Sequence, residues 1–271
     1  MMTLRWRALG LVYWSAVLVF AVPLGAIALT SLSDGTIVGF PIGSFSLRWY
    51  RAALADPDYR DAFALSVALA IESAVLAVAI GTWIAIAVTM LTSFRLRMVL
   101  LAGALIPLVT PGIVHGVALR IAVRAIGLDP GPFAILLGHA IHATPYAAIM
   151  VGVRRATLPK ELVDAARVLG AGPVSAFVKV VVPWLRPALW GAGGLAALTS
   201  FDDFIRSFFL GGYDPTLPVL IFGRLRSGLT PEINAVATMV LMLGCGLSVL
   251  MDWRQHMSRS SRHSASFDRT E

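Results

Sequence analysis

The feature that most constrains this chain is its run of six apolar stretches, near residues 8–31, 63–92, 98–125, 133–153, 188–210 and 233–252. Each is long enough to cross a bilayer, which takes about 20 residues of helix. Hydrophobic residues make up 58% of the 271 and charged ones only 14%, against roughly 25% charged in a soluble domain. Backbone polar groups in lipid must be satisfied within the segment, so such stretches are expected to be helices. The expected fold is all-α, a bundle of six transmembrane helices. Pro23, Pro107, Pro111 and Pro145 interrupt spans, and breaks of this kind are tolerated inside a bundle, where they mark working regions.

Arginine and lysine set the orientation. With both termini in the cytoplasm, Arg5, Arg7, Arg95 and Arg97 fall inside. So do Arg154, Arg155, Lys160, Arg167, Lys179 and Arg186 of the central loop, and Arg254, Arg259, Arg262 and Arg269 of the tail. The transmembrane domain is expected to span 1–255, with a basic, polar tail over 256–271 expected to be disordered. Ala26-Ile27-Ala28 would also fit a signal-peptidase site. The apolar run there is longer than a usual signal core, and a first span fits it better.

The central loop carries the most information. Pro159 suits a first helical turn, and Glu161 and Asp164 suit the positive end of the helix dipole. Leu162, Ala165, Ala166 and Leu169 recur at spacings of three and four. Gly170 can take the left-handed conformation that ends a helix, and Gly172-Pro173 marks the break. A second helical stretch is expected from Val174 to Val182, up to Pro183. The pattern alone fits either an amphipathic loop lying on the membrane or a surface that another protein approaches over Ala165 and Ala166.

Asp164-Ala165-Ala166, Gly170, Val180 and Val182-Pro183 match in spacing the EAA loop of permease subunits of ABC importers, with Asp for Glu and Val for Ile and Leu. "GHAIHATPY" (138–146), "LTSFDDFIRSFFLGG" (198–212), "TLPVLIFGRLRSGLTPEINAVAT" (216–238) and "FSLRWY" before the second span resemble the second permease subunit of the spermidine/putrescine type. The resemblance implies a type I importer fold in which 157–186 forms a cytoplasmic coupling helix. Glu161, Asp164, Ala165, Ala166, Leu169 and Gly170 would then dock into a separate ATPase. It further implies a bacterial inner-membrane location, a dimer of ATPase subunits that binds ATP and Mg, and a second, related permease subunit. A periplasmic or lipid-anchored binding protein would deliver a polyamine. Lipid is the expected surrounding, and nucleic acid is not an expected partner.

The chain has no G-x-x-x-x-G-K-[ST] phosphate loop, so any ATP hydrolysis belongs to another polypeptide and no enzyme activity or bound cofactor is expected. Gly191, Gly193 and Gly194 read as close helix packing instead. His139 and His142 stand one helical turn apart with His115 as the third intramembrane histidine, and no carboxylate or cysteine is well spaced beside them. A hydrogen-bonding role between helices is expected of them, not a metal or haem site.

Ionisable groups inside a bilayer cost about 2.5–3.5 kcal/mol each on insertion scales. Asp202 and Asp203 are therefore candidates to line the substrate path, with Glu72 and Tyr146. Local alternatives are an Asp202–Arg206 pair at i,i+4 and pairing of Glu72 with Arg120 or Arg124. Thr230, Pro231 and Glu232 read as the start of the sixth span. Polyamine-type permeases tend to carry an acid after the third-span proline, where this chain has Gly112. Arg120, Arg124, Arg206, Arg224 and Arg226 add positive charge toward the outer side. An aminophosphonate, an opine or another zwitterionic or anionic solute is thus an alternative cargo. A self-contained channel or secondary transporter is the alternative from another class.

Overall fold

A computed structural model describes residues 2–39 and 42–246, with side chains from residue 9 onward. The expected tail over 256–271 lies outside the described residues. The chain forms twelve helices among the described residues and no strand beyond an isolated bridge between Ser33 and Phe45.

Two compact units divide the fold. One combines Met1–Pro57 with the chain from Gly223 onward. It holds α1 (Met2–Ser31), α2 (Arg48–Ala55) and α12 (Pro231–Gly246). From residue 9, α1 presents apolar side chains on all sides, as a lipid- or partner-facing span does. Short polar ties hold this unit. Ser31 and Tyr50 hydroxyls lie 2.6 Å apart, and Asn234 donates to Thr30 at 2.9 Å. Arg224 reaches Asp56 at 2.8 Å and Glu232, in the first turn of α12, at 3.9 Å.

The other unit, Asp58–Phe222, contains nearly all of α3 (Pro57–Met90) and then α4 (Phe94–Val109), α5 (Gly112–Ala125) and α6 (Pro132–Ala156). Next come α7 (Lys160–Val168), α8 (Pro173–Ala176), α9 (Val182–Phe201) and α10 (Phe204–Leu210). The first six residues of α11 (Leu217–Ser227) also belong to this unit, and the helix starts with the Leu217 N–H donated to Ser66 of α3. Three helices, α1, α3 and α6, are each long and apolar enough to cross a membrane. The pair α4–α5 makes a fourth span bent by 112°. The bend falls at Thr110-Pro111, because a residue before proline is pushed out of the helical region. Thr110 has φ −76° and ψ 129°. The fifth apolar stretch is broken as well, into α9 and α10. Helix α9 carries Arg186, two prolines and three glycines, and it is not among the helices long and apolar enough to cross a membrane.

The second unit is sewn together by small side chains. Ala77, Ala143 and Ala196 are fully or almost fully buried where α3, α6 and α9 meet, and Gly81 lies against Ala147, where a Cβ would come within 2.6 Å of the Ala147 Cβ. Small residues let helix backbones approach closely, and dispersion then holds them without a hydrophobic driving force. Alanines and Gly81 form this seam. Of the three expected glycines, a Cβ on Gly191 would meet the flexible end of Met150 at 3.0 Å, and Gly194 has open space around it.

The second helical stretch of the central loop also differs from expectation. It does not end at Pro183 but runs on into α9 through a π turn, Phe177–Val181. Val182 donates to the Phe177 carbonyl, five residues back. The register slips just ahead of Pro183, whose ring and missing N–H disfavour an ordinary helical turn there.

Candidate functional site

Two features of the second unit stand out, an apolar tip at α7 and a groove at the break between α9 and α10.

The tip is built by helix termination. Gly170 has φ +85°, its N–H donates to the Arg167 carbonyl, and the Ala171 N–H donates to Ala166. This pair of bonds satisfies the last carbonyls of α7 and turns the chain sharply. Val163 packs inward against the cluster of Ala85, Val151, Leu158, Val181 and Leu185. Leu162, Val168, Leu169 and Val174 project outward, with Val168 at 88% and Leu169 at 87% exposure. Glu161, Asp164 and Ala165 are exposed and Ala166 half-buried; Asp164 faces Arg167 at 3.9 Å. A reciprocal clamp fixes the base of the tip. Arg154 Nε donates to the Trp184 carbonyl at 3.1 Å, the Trp184 indole donates to the Arg154 carbonyl at 3.3 Å, and the guanidinium stacks over the indole at 4.4 Å.

The groove begins with one tight turn. Phe204 donates its N–H to the Asp202 carbonyl at 2.9 Å, and Asp203 sits between them at φ −78°, ψ 89°, close to an inverse γ-turn. Asp203 Oδ1 accepts the Arg206 N–H at 3.0 Å, and its Oδ2 lies 2.8 Å from the Arg206 Nε. Both side chains are buried, at 8% and 6% exposure. The expected Asp202–Arg206 pair is therefore replaced by Asp203–Arg206. The i,i+4 rule assumes an unbroken helix, and the turn at 202–203 removes that premise.

Helix α10 is seated on glycines. A Cβ on Gly112 would come within 2.9 Å of Ile205 and one on Gly116 within 2.7 Å of Phe209, while a Cβ on Gly138 would collide with Leu210. Gly112 and Gly116 form a G-x-x-x-G spacing in α5, a sequence signal for such packing. The far end of α10 is capped from outside. Arg120 donates to the Phe209 carbonyl at 2.9 Å and Gly131 N–H to the Leu210 carbonyl at 2.9 Å, which satisfies helix-end acceptors. Arg124 pairs with Asp129 at 2.9 Å. Neither arginine meets Glu72, which stands exposed on α3 with no polar partner among the described residues. The expected Glu72 pairing is thus corrected: Arg120 is taken up by the Phe209 carbonyl and Arg124 by Asp129.

His139 is 2% exposed. Its Nδ1 lies 2.7 Å from the Ser200 hydroxyl and its Nε2 3.1 Å from that of Ser207. This is the helix-to-helix role expected of the histidines. His142 lines the groove, with its ring 6.0 Å from that of His115 and 5.8 Å from that of Tyr146. No group of three or more metal-ligating side chains occurs among the described residues.

The resulting groove encloses about 600 Å³ and opens widely. Gly112, His142, Thr199, Asp202 and Phe204 line it beside the Asp203–Arg206 pair. Asp202 is exposed there, and its carboxylate has no ion-pair partner among the described residues. The structure thus brings Asp202, Asp203 and His142 together, with Tyr146 behind His142. Glu72 is not among the groove residues.

The profile of the family described as "binding-protein-dependent transport system inner membrane component" matches residues 77–262. The putrescine transport system permease protein PotI of Escherichia coli K12 is 33% identical over 226 residues, 81% of this chain and 80% of that protein. The spermidine/putrescine transport system permease protein PotC of Haemophilus influenzae is 30% identical over 220 residues, 81% of this chain and 84% of that protein. In fold, the chain is similar to a bacterial ABC transporter involved in import of the acidic polysaccharide alginate, with a TM-score of 0.63 at 17% identity, covering 92% of this chain and 96% of that one. The MetNI methionine ABC transporter gives 0.59 at 21% identity, covering 69% and 90%. From the matched profile and these relatives, the chain belongs to the binding-protein-dependent inner-membrane permeases of ABC transporters.

Proposed function

We propose that this chain is the permease subunit of an ATP-driven importer whose cargo is a polyamine cation of the putrescine or spermidine class. The observation that carries the cargo is the charge state of the groove. Arg206 is neutralised by Asp203, so its positive charge does not repel a cation, and Asp202 remains as an unpaired carboxylate on the groove wall. A carboxylate attracts an ammonium group, and the attraction grows as bound cargo displaces water from the groove. Two of the other arginines set against a polycation are paired with carboxylates as well, Arg124 with Asp129 and Arg224 with Asp56, while Arg120 donates to a backbone carbonyl. A Cβ on Gly112 would meet the flexible end of Ile205 at 2.9 Å, and Asp202 supplies negative charge to the same groove. The names of the relatives from E. coli and H. influenzae point the same way.

In this reading the α7 tip, with Leu162, Val168 and Leu169 exposed, is the docking surface for a cytoplasmic ATPase dimer that binds ATP and Mg. A second permease subunit completes the path, and a periplasmic or lipid-anchored binding protein loads it. Both termini lie in the cytoplasm. ATP-driven closure of the ATPases moves the tips, the bundle opens outward, and hydrolysis resets it. This chain's own residues bind and orient cargo and catalyse no reaction.

The test is uptake of labelled putrescine and spermidine in cells with the chain intact, deleted, or carrying Asp202→Asn. Loss of uptake in both altered strains supports the proposal. Uptake unaffected by deletion, in a strain with no second polyamine system, overturns the cargo and directs the search to zwitterionic or anionic solutes.

A further inference from the structure

The fifth apolar stretch is not a continuous helix, yet the residues on either side of its break are held in a fixed relation by a side chain from elsewhere. Ser200 lies in the last turn of α9 and Ser207 in the middle of α10. Between them are only the γ-turn at Asp203 and the Asp203 cap on Arg206. His139, from α6, places one ring nitrogen on each serine. A neutral imidazole offers one donor and one acceptor, and each hydroxyl can take either role. Both ring nitrogens and both serines are therefore satisfied in a site where all three residues are buried. An unpaired polar group at such a place is costly, so the bridge resists any change in the angle between α9 and α10. Asp203 Oδ2 lies 3.9 Å from the same Nε2, which links the bridge to the Asp203–Arg206 pair.

We propose that His139 is a positioning residue of the transport site. It spans the break between α9 and α10 and thereby fixes Asp202, which sits at that break, with its carboxylate on the groove wall. This inference rests on the reading of Asp202 as the contact for the cation. The bridge itself is independent of that reading and is tested separately.

The assembled transporter, in lipid nanodiscs with its ATPase and partner permease, is examined by hydrogen exchange and by putrescine transport. His139→Ala is expected to accelerate amide exchange of the 200–207 segment at least about tenfold while leaving α3 unchanged. His139→Gln, whose amide keeps a donor and an acceptor, restores much of the protection. Ser207→Ala, a smaller change, gives an intermediate acceleration. Exchange over 200–207 that is unaltered in both His139→Ala and Ser207→Ala overturns the bridge. Acceleration everywhere in His139→Ala marks a folding failure, and Ser207→Ala then decides. For transport, His139→Ala raises KM about five- to tenfold with little change in maximal rate, and the double variant with Asp202→Asn is no worse than Asp202→Asn alone. Effects that multiply instead show that His139 does not act through Asp202 and overturn the positioning role. If Asp202→Asn leaves KM unchanged while exchange over 200–207 still accelerates in His139→Ala, the bridge stands and the reading of Asp202 as cation contact falls.

Discussion

Arg206 Nε lies 2.8 Å from Asp203 Oδ2, three residues back, with the two side chains among the most buried charges in the described residues. The pair closes the turn between two helices and leaves the neighbouring Asp202 with no counter-ion of its own among the described residues. Removing one partner strands a buried charge, which costs about 3–5 kcal/mol, whereas replacing both by apolar groups is often nearly neutral. Asp203→Leu alone should lower the unfolding temperature of the purified chain in detergent. Adding Arg206→Met should recover a large part of the loss. Equal stability of wild type and Asp203→Leu would refute a structural role for the pair.

Asp202→Asn removes charge but little volume. Putrescine KM is expected to rise about tenfold, equivalent to roughly 1.4 kcal/mol, with unfolding temperature unchanged because the side chain is exposed. Steady-state uptake and a melting curve on the same preparation separate the two effects. A shifted melting curve would place Asp202 in the structural network with Asp203.

Gly116→Ala puts a Cβ within 2.7 Å of the Phe209 ring. Overpacking of this kind costs about 1–3 kcal/mol, and here it should displace α10 from its seat on α5. Gly194→Ala, with open space around it, is the matched control and should cost nothing measurable in the same unfolding assay.

Gly170→Val attacks the left-handed end of α7. A β-branched residue at φ +85° costs at least about 1–2 kcal/mol locally, and the tip is too exposed for this to unfold the bundle. Membrane insertion should survive while transport-coupled ATP hydrolysis in the reconstituted complex falls severalfold. Normal coupling in this variant would rule out the tip as the ATPase handle.

Much of the fold was legible because lipid imposes simple demands. Apolar runs of span length became α1, α3 and α6, and Pro111 marked the bend in the fourth span. Gly170 took the positive φ that its place at a helix end implied. The departures share one cause, local rules applied where packing between distant segments decides. The alternative of an Asp202–Arg206 pair rests on helical arithmetic that the turn at 202–203 cancels, and Pro183 reads as a stop in sequence although a π turn absorbs it. The partners of His139 lie 61 and 68 residues away, a separation that no local pattern encodes. Attraction between opposite charges suggests Glu72 with Arg120 or Arg124, but a helix-end carbonyl lies beside Arg120 and Asp129 beside Arg124. The glycine seat of α10 could have been read from the G-x-x-x-G at 112–116.

On the proposed reading of the α7 tip, the outward-facing Val168 and Leu169 have a consequence for the cell as well as for coupling. A chain made without its partner shows water a greasy knob that chaperones and proteases are built to notice. Surplus copies would therefore be removed, and the abundance of this subunit would follow that of the protein that covers the knob. Subunit ratio would be set after synthesis, by who finds a partner in time.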